Sequence, residues 1–542
     1  MEENYKFSDL ETFIIKDKTY KKKRKLKLLL IIIPIILIII ISIVALSIIL
    51  SQNGGEINCI YQTMQEKENI ALINSKNNIK FSLIIDEIEY EQKNYHLFEI
   101  AGLHKITFKF KRNLISLDQM FDGINNLIEI DFSKLHLEDL ESTKNTFSKC
   151  RNLRKVNFEN KTPKLKKING MFEGCLSLES LNLDIDTSKV VNMSEMFRDC
   201  NKLKILDLSH FKFESVNDME FMFLRCTNLT EIIFNNNTKT DSLVNASYIF
   251  EDCFSLKNIN MKIFNANNIL RFSYTFHNCY SLEEIDFSNF ETKNLVQLNN
   301  TFNNCSSLKK IEIKFNTSKL ESISKIFYNC TSLTSVDIST IRTDKMLIAD
   351  SAFRNCIKLT SLDLSSLQFR LLYNTKYMFS NCISLKYLSL HIYMLSLEWA
   401  NFMFENCYSL TSLNLSFLKS AAQLRESQGM FKNCTSLNNL EFPKVYPRKL
   451  NNSNEMFYGC KSLKSINMGD FKSNRLKNIE RMFYDCENLI YLNIYQINTD
   501  EVVYSDELFE GVEKNITLIY NSKNTEKIQD KIDKLHINNS NI

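Results

Sequence analysis

Glycine, proline and tryptophan are scarce in this sequence of 542 residues, which has 10 Gly, 4 Pro and 1 Trp. So few glycines supply no phosphate-binding loop and no G-x-S-x-G nucleophile turn. The seven histidines include no H-E-x-x-H pair and the 15 cysteines no C-x-x-C pair, so no metal site is indicated. A net charge of +4 is too small to indicate a nucleic-acid-binding protein. We therefore expect no enzyme activity, no cofactor and no metal.

The N-terminal region has the pattern of a membrane anchor. Residues 1–27 are a basic tail that holds all of the excess positive charge, and residues 28–50 form an uncharged apolar run. Roughly 20 apolar residues span the hydrocarbon core as a helix. The positive-inside rule then predicts a single-pass type II protein of the cell membrane, with residues 1–27 in the cytoplasm and the remainder outside. A cleaved signal peptide is the alternative, although its apolar region is usually about 7–15 residues long.

A repeat of 25 to 27 residues occupies most of the chain. Its most regular residue is a phenylalanine, and in most units a cysteine follows three residues later; of the 15 cysteines only Cys59 lies outside this phase. The phenylalanines are Phe121, Phe147, Phe172, Phe197, Phe223, Phe250, Phe276, Phe302, Phe327, Phe353, Phe379, Phe404, Phe431, Phe457, Phe483 and Phe509. A period of this length indicates a solenoid, in which stacked units share one core.

The unit from Val190 to Phe211 predicts the local structure of every repeat. Its apolar residues from Val190 to Cys200 are spaced as on one face of a short helix. Leu203, Leu206 and Leu208 follow as L-x-x-L-x-L, a strand pattern that recurs in other units, including the one at Leu410, Leu413 and Leu415. We therefore predict an α/β repeat solenoid, leucine-rich-repeat-like, with a parallel strand face and short helices on the other face.

The recurring pattern M-F-x-x-C-x-S-L-x-x-L-x-L, seen at Met171 to Leu183 and Met403 to Leu415, resembles the BspA-like leucine-rich-repeat surface proteins. It is most similar to their 25–26-residue branch, known from mycoplasma lipoprotein-type proteins. The resemblance implies a solenoid displayed on the cell surface, where family members are discussed as adhesins or host-contact proteins. This sequence differs in carrying a membrane anchor instead of a lipobox or cell-wall sorting signal.

The pattern divides the rest of the chain into three parts. Residues 51–96 are expected to be a stalk and N-terminal cap with one strand at Phe81–Ile88. Residues 97–520 are expected to be the solenoid of about 16–17 units, with a degraded first unit over 97–120. Residues 521–542 would form a C-terminal cap or tail over the exposed end of the core.

The regularly spaced cysteines allow two interpretations. An oxidising compartment favours disulfides, and stacked Cα atoms about 5 Å apart would satisfy the distance requirement. In a parallel stack, however, neighbouring Cβ atoms point the same way. Cysteine also behaves as a small buried hydrophobe, so we favour reduced, buried thiols.

The outward residues of the strands are the candidate binding surface, because solenoids present extended faces to partners. Aromatic residues interrupt its polar column in two units and are candidate anchors, together with the single tryptophan. The candidates are Tyr387, His391, Trp399, Tyr491 and Tyr495. We expect a monomeric solenoid that binds an extracellular protein or glycan in adhesion. The alternatives are a passive surface coat or spacer without a specific ligand and a signalling receptor, for which residues 1–20 offer no docking motif.

Overall fold

A computed structural model describes residues 32–44 and 54–535, with short gaps. The gaps are residues 75, 77, 78, 160, 236, 237, 262, 263, 266, 288, 289, 291, 314–316, 391, 392, 514 and 515. Helix α1 covers residues 32–44, within the predicted anchor. Over the described residues, no helix combines the length and apolar character that a membrane span requires. The basic tail and the two ends of the predicted anchor lie outside the described residues.

An N-terminal cap of six strands precedes the solenoid. These strands are β1 (Gly55–Thr63), β2 (Glu68–Ala71), β3 (Ser82–Ile85), β4 (Ile88–Tyr90), β5 (Tyr95–Phe98) and β6 (Gly102–Phe110). Strand β1 pairs antiparallel with β6 on one side and with the first solenoid strand on the other. The cap therefore covers the N-terminal edge of the solenoid. The structure differs from the expectation of a degraded unit over 97–120, because β6 pairs with β1 in antiparallel register and not with a following unit.

The solenoid strands are short, and most of the pairs between consecutive units are parallel and in register. They are β7 (Leu127–Asp131), β8 (Lys155–Glu159), β9 (Ser180–Asp184), β10 (Ile205–Leu208), β11 (Glu231–Phe234), β12 (Lys310–Glu312), β13 (Ser335–Asp337), β14 (Ser361–Asp363), β15 (Tyr387–Ser389), β16 (Asn439–Glu441), β17 (Ser465–Asn467), β18 (Tyr491–Asn493) and β19 (Thr517–Ile519). The unit after Phe404 departs from the predicted strand pattern. A 3₁₀ helix over Leu415–Ser420 follows there, and Asn414 caps it by accepting a hydrogen bond from the Ser416 N–H.

The predicted short helices are wrong, because the segment around each phenylalanine is a run of turns. In the unit of Phe197, Glu195 and Asp199 have left-handed φ angles of 58° and 62°, which a right-handed helix excludes. The N–H groups of Glu195, Phe197 and Asp199 donate to carbonyl groups of the next unit at 2.8–3.0 Å, and not to residues four positions earlier. We call these turn segments, exemplified by residues 194–199, the turn face.

The phenylalanines form one stack along the core. Each ring from Phe121 to Phe509 lies on the ring of the next unit, with centroids 5.3–5.7 Å apart. All of these rings are buried. Large buried aromatic side chains contribute several kcal/mol each, typically about 3–5 kcal/mol on truncation to Ala. The stack therefore fixes the register of one unit on the next.

The repeat cysteines are reduced and buried, and they form a second column, which we call the thiol ladder. Each thiol donates to the phenylalanine carbonyl of the preceding unit; Cys226 Sγ, for example, lies 3.0 Å from Phe197 O. Burial raises the pKa of these thiols, to about 12 for Cys226. The ladder residues are Cys150, Cys175, Cys200, Cys226, Cys253, Cys279, Cys305, Cys330, Cys356, Cys382, Cys407, Cys434, Cys460 and Cys486. The prediction of buried thiols is confirmed.

A maleimide reagent is expected to label few of these cysteines in the folded chain and nearly all of them after denaturation without reductant. Reaction requires an accessible thiolate, and the fold removes both the access and the charge. Labelled cysteines can be counted by intact mass before and after denaturation. Cysteines that stay unlabelled in denaturant and become reactive only after reduction would be disulfide-bonded, in contradiction of the ladder.

The C-terminal end of the core is closed by a short polar segment. A 3₁₀ helix over Glu526–Ile528 leads into helix α2 (Gln529–Ile532). Ile528, Ile532 and Leu535 of this segment are buried. The segment lies within residues 521–542, the range predicted as a C-terminal cap or tail, of which 536–542 lie outside the described residues.

Candidate ligand-binding faces

The strand face is formed by the outward residues of the parallel strands. In β10, Leu206 and Leu208 are buried, whereas Ile205 and Asp207 are exposed, as expected of a strand covered on one side only. Amide and carboxylate groups of consecutive units bond to each other along part of this face. The amide of Asn157 donates to Asp131 at 2.8 Å, and that of Asn182 donates to Asn157 at 2.9 Å.

Tyr387, at the start of β15, is the most exposed of the predicted site residues that the structure describes. Its side chain is 62% exposed, and Ser361 is its strand partner in the preceding unit. The same unit also exposes Tyr393 (61%) and Leu395 (52%), which the sequence analysis missed. We call Tyr387, Tyr393 and Leu395 the aromatic patch. His391 lies between them in sequence but outside the described residues.

Trp399 is half-buried, in contrast to its predicted exposure. Its ring packs edge-on against Tyr373 with centroids 5.4 Å apart, and the Lys376 ammonium lies 5.4 Å from it. Its backbone forms parallel bridges to Asn374 and Glu426, which holds the residue within the stack. The prediction failed because other units have polar residues at the position equivalent to Trp399, which suggested exposure to solvent. A large ring at that position packs on its neighbours instead.

Tyr491 and Tyr495 lie in the unit after Phe483 and are both half-buried. Tyr491 stands between Ser465 and Thr517 on the neighbouring strands. This unit is four units beyond that of Tyr387, or about 19 Å at roughly 4.8 Å per strand. The structure thus places the two predicted tyrosine sites at separate points of the strand face.

The turn face carries rows of stacked aromatic rings that sequence reasoning did not identify. The rings of Phe221, Tyr248 and Tyr274 stack with centroids 4.8–4.9 Å apart. Tyr377 and Phe402 stack at 5.1 Å, and the Arg354 guanidinium lies 4.4 Å from the Tyr377 ring. These rings are half-buried, and desolvation together with Tyr274 raises the pKa of Tyr248. In the sequence, the signal for these rows is an aromatic residue two positions before the repeat phenylalanine in consecutive units.

One cluster on the turn face combines possible metal ligands. Atoms of Glu251, Asp252 and His277 lie within 4.8 Å of one another. However, His277 Nδ1 lies 2.8 Å from Glu251 Oε1, and Asp252 accepts a hydrogen bond of 2.7 Å from the Asn278 amide. These contacts join adjacent units, and we interpret the cluster as a cross-unit polar contact.

Comparisons with known proteins agree with the repeat pattern. Residues 115–418 match, in overlapping copies, the family described as "Mycoplasma protein of unknown function, DUF285". Residues 398–534 match six copies of the "BspA type Leucine rich repeat region". The chain belongs to the BspA-like leucine-rich-repeat proteins.

Solved structures similar to this BspA-like protein include two complexes, both at low sequence identity. The crystal structure of the TLR13–ssRNA13 complex is 14% identical, with 70% of this chain and 76% of that chain covered and a TM-score of 0.17. The crystal structure of the LRIM1/APL1C complex is 12% identical, with 74% of this chain and 59% of that chain covered and a TM-score of 0.19. No curated protein matches the chain. The BspA-like repeat fold is in general suited to protein–protein binding.

Proposed function

We propose that this BspA-like protein is a membrane-anchored surface protein whose solenoid binds a partner protein through the aromatic patch. The observation that carries the proposal is the exposure of three large side chains, Tyr387, Tyr393 and Leu395, within one unit. Exposed tyrosines combine apolar area with a hydrogen-bonding group, and they are enriched at binding hot spots. A spacer without a ligand gains nothing from exposing them.

The anchoring part of the proposal rests on the sequence of residues 1–50. The apolar run 28–50 and the basic residues before it favour a type II orientation, which places the solenoid outside the cell. A glycan is the other class of ligand that aromatic side chains suit, because sugars stack on them. We favour a protein partner because the patch is an exposed surface of three side chains, whereas sugar sites are usually concave.

Replacing Tyr387 and Tyr393 with Ser is expected to weaken partner binding by about 1–3 kcal/mol, because both rings are exposed and available as anchors. The full chain in nanodiscs can be applied to arrays of extracellular proteins and of glycans, and the affinity of each hit then measured for both forms. The matched control is Tyr491→Ser with Tyr495→Ser, which changes half-buried rings on the same face and should leave the affinity for that partner unchanged.

Three outcomes separate the alternatives. A protein hit that loses affinity only in the Tyr387/Tyr393 variant supports the proposal, whereas a glycan hit with the same behaviour replaces the partner class. Hits that are unaffected by the variant place recognition elsewhere on the solenoid. A complete absence of hits favours the passive coat or spacer.

A further inference from the structure

A groove of about 870 Å³ lies at one end of the N-terminal cap, and we call it the entry groove. Its walls combine apolar side chains with exposed basic ones, and the apolar Ile115 is 65% exposed at the groove. The lining residues that matter here are Lys80, Phe81, Glu91, Lys111, Arg112 and Ile115. The strand-face candidates lie in distant units, so this groove is a separate surface.

The antiparallel topology gathers basic residues at this end of the cap sheet. Strand β3 begins and strands β6 and β7 end here, because β3 is antiparallel to β6 and β1 is antiparallel to both β6 and β7. Lys80 precedes β3, Lys111 and Arg112 follow β6, and Lys134 follows β7. All four side chains are exposed. Glu91 is the acidic residue in the groove lining, so the lining is net positive.

The chain enters the cap beside these residues. The Gly54 N–H donates to Phe110 O at 3.1 Å, and the Gly54 Cα packs so closely on the Arg112 carbonyl that a side chain would not fit. The predicted anchor ends at Leu50, four residues earlier. Four extended residues reach at most about 14 Å. The headgroup layers add about 5–8 Å on each side of the hydrocarbon core, so an anchor that ends at Leu50 would hold this end of the cap at the headgroups.

We propose that the entry groove binds phosphate groups of the phospholipid leaflet in which the anchor is embedded. The inference rests on the membrane anchorage proposed above. Lys80, Lys111 and Arg112 supply positive charge and N–H donors, which form charge-assisted hydrogen bonds with phosphate groups. Ile115 supplies apolar contact at the bilayer surface. The groove then fixes how the solenoid stands on the membrane, because attachment at one point alone does not define an orientation.

The test uses the full chain in nanodiscs that contain phosphatidylcholine with or without phosphatidylglycerol. All 15 native cysteines are buried, so an introduced cysteine can be labelled selectively in the folded protein. Ile115→Cys carries a fluorophore at the groove, and Ser522→Cys carries it at the opposite end of the solenoid. In anionic discs, quenching by a headgroup spin-labelled lipid is expected to be at least about fivefold stronger at position 115 than at position 522. Salt at 1 M shortens the screening length to about 3 Å and should reduce the quenching at position 115.

Charge removal provides the decisive comparison. Lys80→Gln, Lys111→Gln and Arg112→Gln together should lower quenching at position 115 in the anionic discs to the level seen in discs without phosphatidylglycerol. These side chains are exposed, so the fold should tolerate the change, which circular dichroism checks. A chain that does not enter the discs contradicts the anchorage and this inference with it. A chain that enters the discs but shows equal quenching at both positions, or quenching insensitive to the substitutions, overturns this inference alone.

Discussion

Raising the pH from about 7.5 to 10 is expected to unfold the solenoid. Every unit of the thiol ladder holds a cysteine whose pKa burial raises, to about 12 for Cys226, Cys382 and Cys460. An unfolded thiol has a pKa of about 8.5. A raised folded pKa contributes stability that is complete below the unfolded value and is lost as the pH rises from there toward the folded pKa. The sensitive range therefore runs from about pH 8.5 to about pH 12.

The size of the expected loss in the free energy of unfolding follows from the presence of one thiol in each unit. Linkage makes the loss per thiol about 1 kcal/mol at pH 9 and about 2 kcal/mol at pH 10. Typical stability is roughly 0.05–0.15 kcal/mol per residue, or about 1–4 kcal/mol for a unit of this length. Because a solenoid's stability is approximately a sum over its units, the two quantities are comparable along the whole stack. The ladder thus turns a small effect per residue into cooperative alkaline unfolding.

Urea unfolding measured at intervals between pH 7.5 and 10 checks this expectation. A control with Cys305, Cys330 and Cys356 changed to Ala removes three titrating groups from adjacent units. It should be less stable at pH 7.5, because each substitution leaves a small cavity, but its stability should fall less steeply with pH. A stability of the parent chain that is equal at pH 7.5 and pH 9.5 would be incompatible with buried neutral thiols.

Deleting the whole unit Phe353 to Met378 is expected to leave a folded, shorter solenoid. In the parent chain Met378 precedes Phe379, and its carbonyl group accepts the Phe353 N–H at 2.9 Å. In the shortened chain Ala352 would precede Phe379 instead, and Phe327 would stack on Phe379. Contacts run between neighbouring units, so the rest of the stack keeps its register. Circular dichroism and urea unfolding should therefore resemble those of the parent chain.

Deleting only Phe353 to Ser365 should cost several kcal/mol. The remaining part of the unit, residues 366–378, includes buried side chains such as Phe369, Leu372 and Met378, and it has lost the strand and turn that cover them. This segment must either shift the register of the stack or detach from the stack, and either change exposes apolar surface. Limited proteolysis should cut within residues 366–378. Equal stability of the two deletions would count against the solenoid register itself.

The period of the sequence predicted the stack but not the local backbone. Spacing alone located the phenylalanines and cysteines in the core, because a side chain repeated once per unit must meet its own copy. The same apolar spacing fits a short helix and a series of turns equally well. The distinguishing signal was the residue before each cysteine, which is Asn, Asp or Gly in all units but those of Lys149 and Arg225. These are the residues that adopt left-handed φ most readily.

The cap and the site were less predictable, for different reasons. The pairing of Gly55 with Phe110 is antiparallel and joins residues far apart in sequence, so no repeat pattern indicates it. The exposure of Tyr387 could be predicted because its polar counterparts on neighbouring strands are themselves exposed. Trp399 was misjudged because a column of small polar residues says little about how a large ring packs. Ring–ring contacts such as that with Tyr373 depend on the particular neighbours present.

The hydrogen bonds that join one unit to the next also determine how the molecule responds to force. With the anchorage and the partner site proposed above, a pull between the membrane and a partner at Tyr387 would load the intervening units in series, so the weakest interface would open first and spare the others. Each unit of about 26 residues that opens releases roughly 90 Å of extended chain. A solenoid pulled along its stack can therefore lengthen in steps under tension, and a released unit can close again on the stacked face of its neighbour when the tension falls.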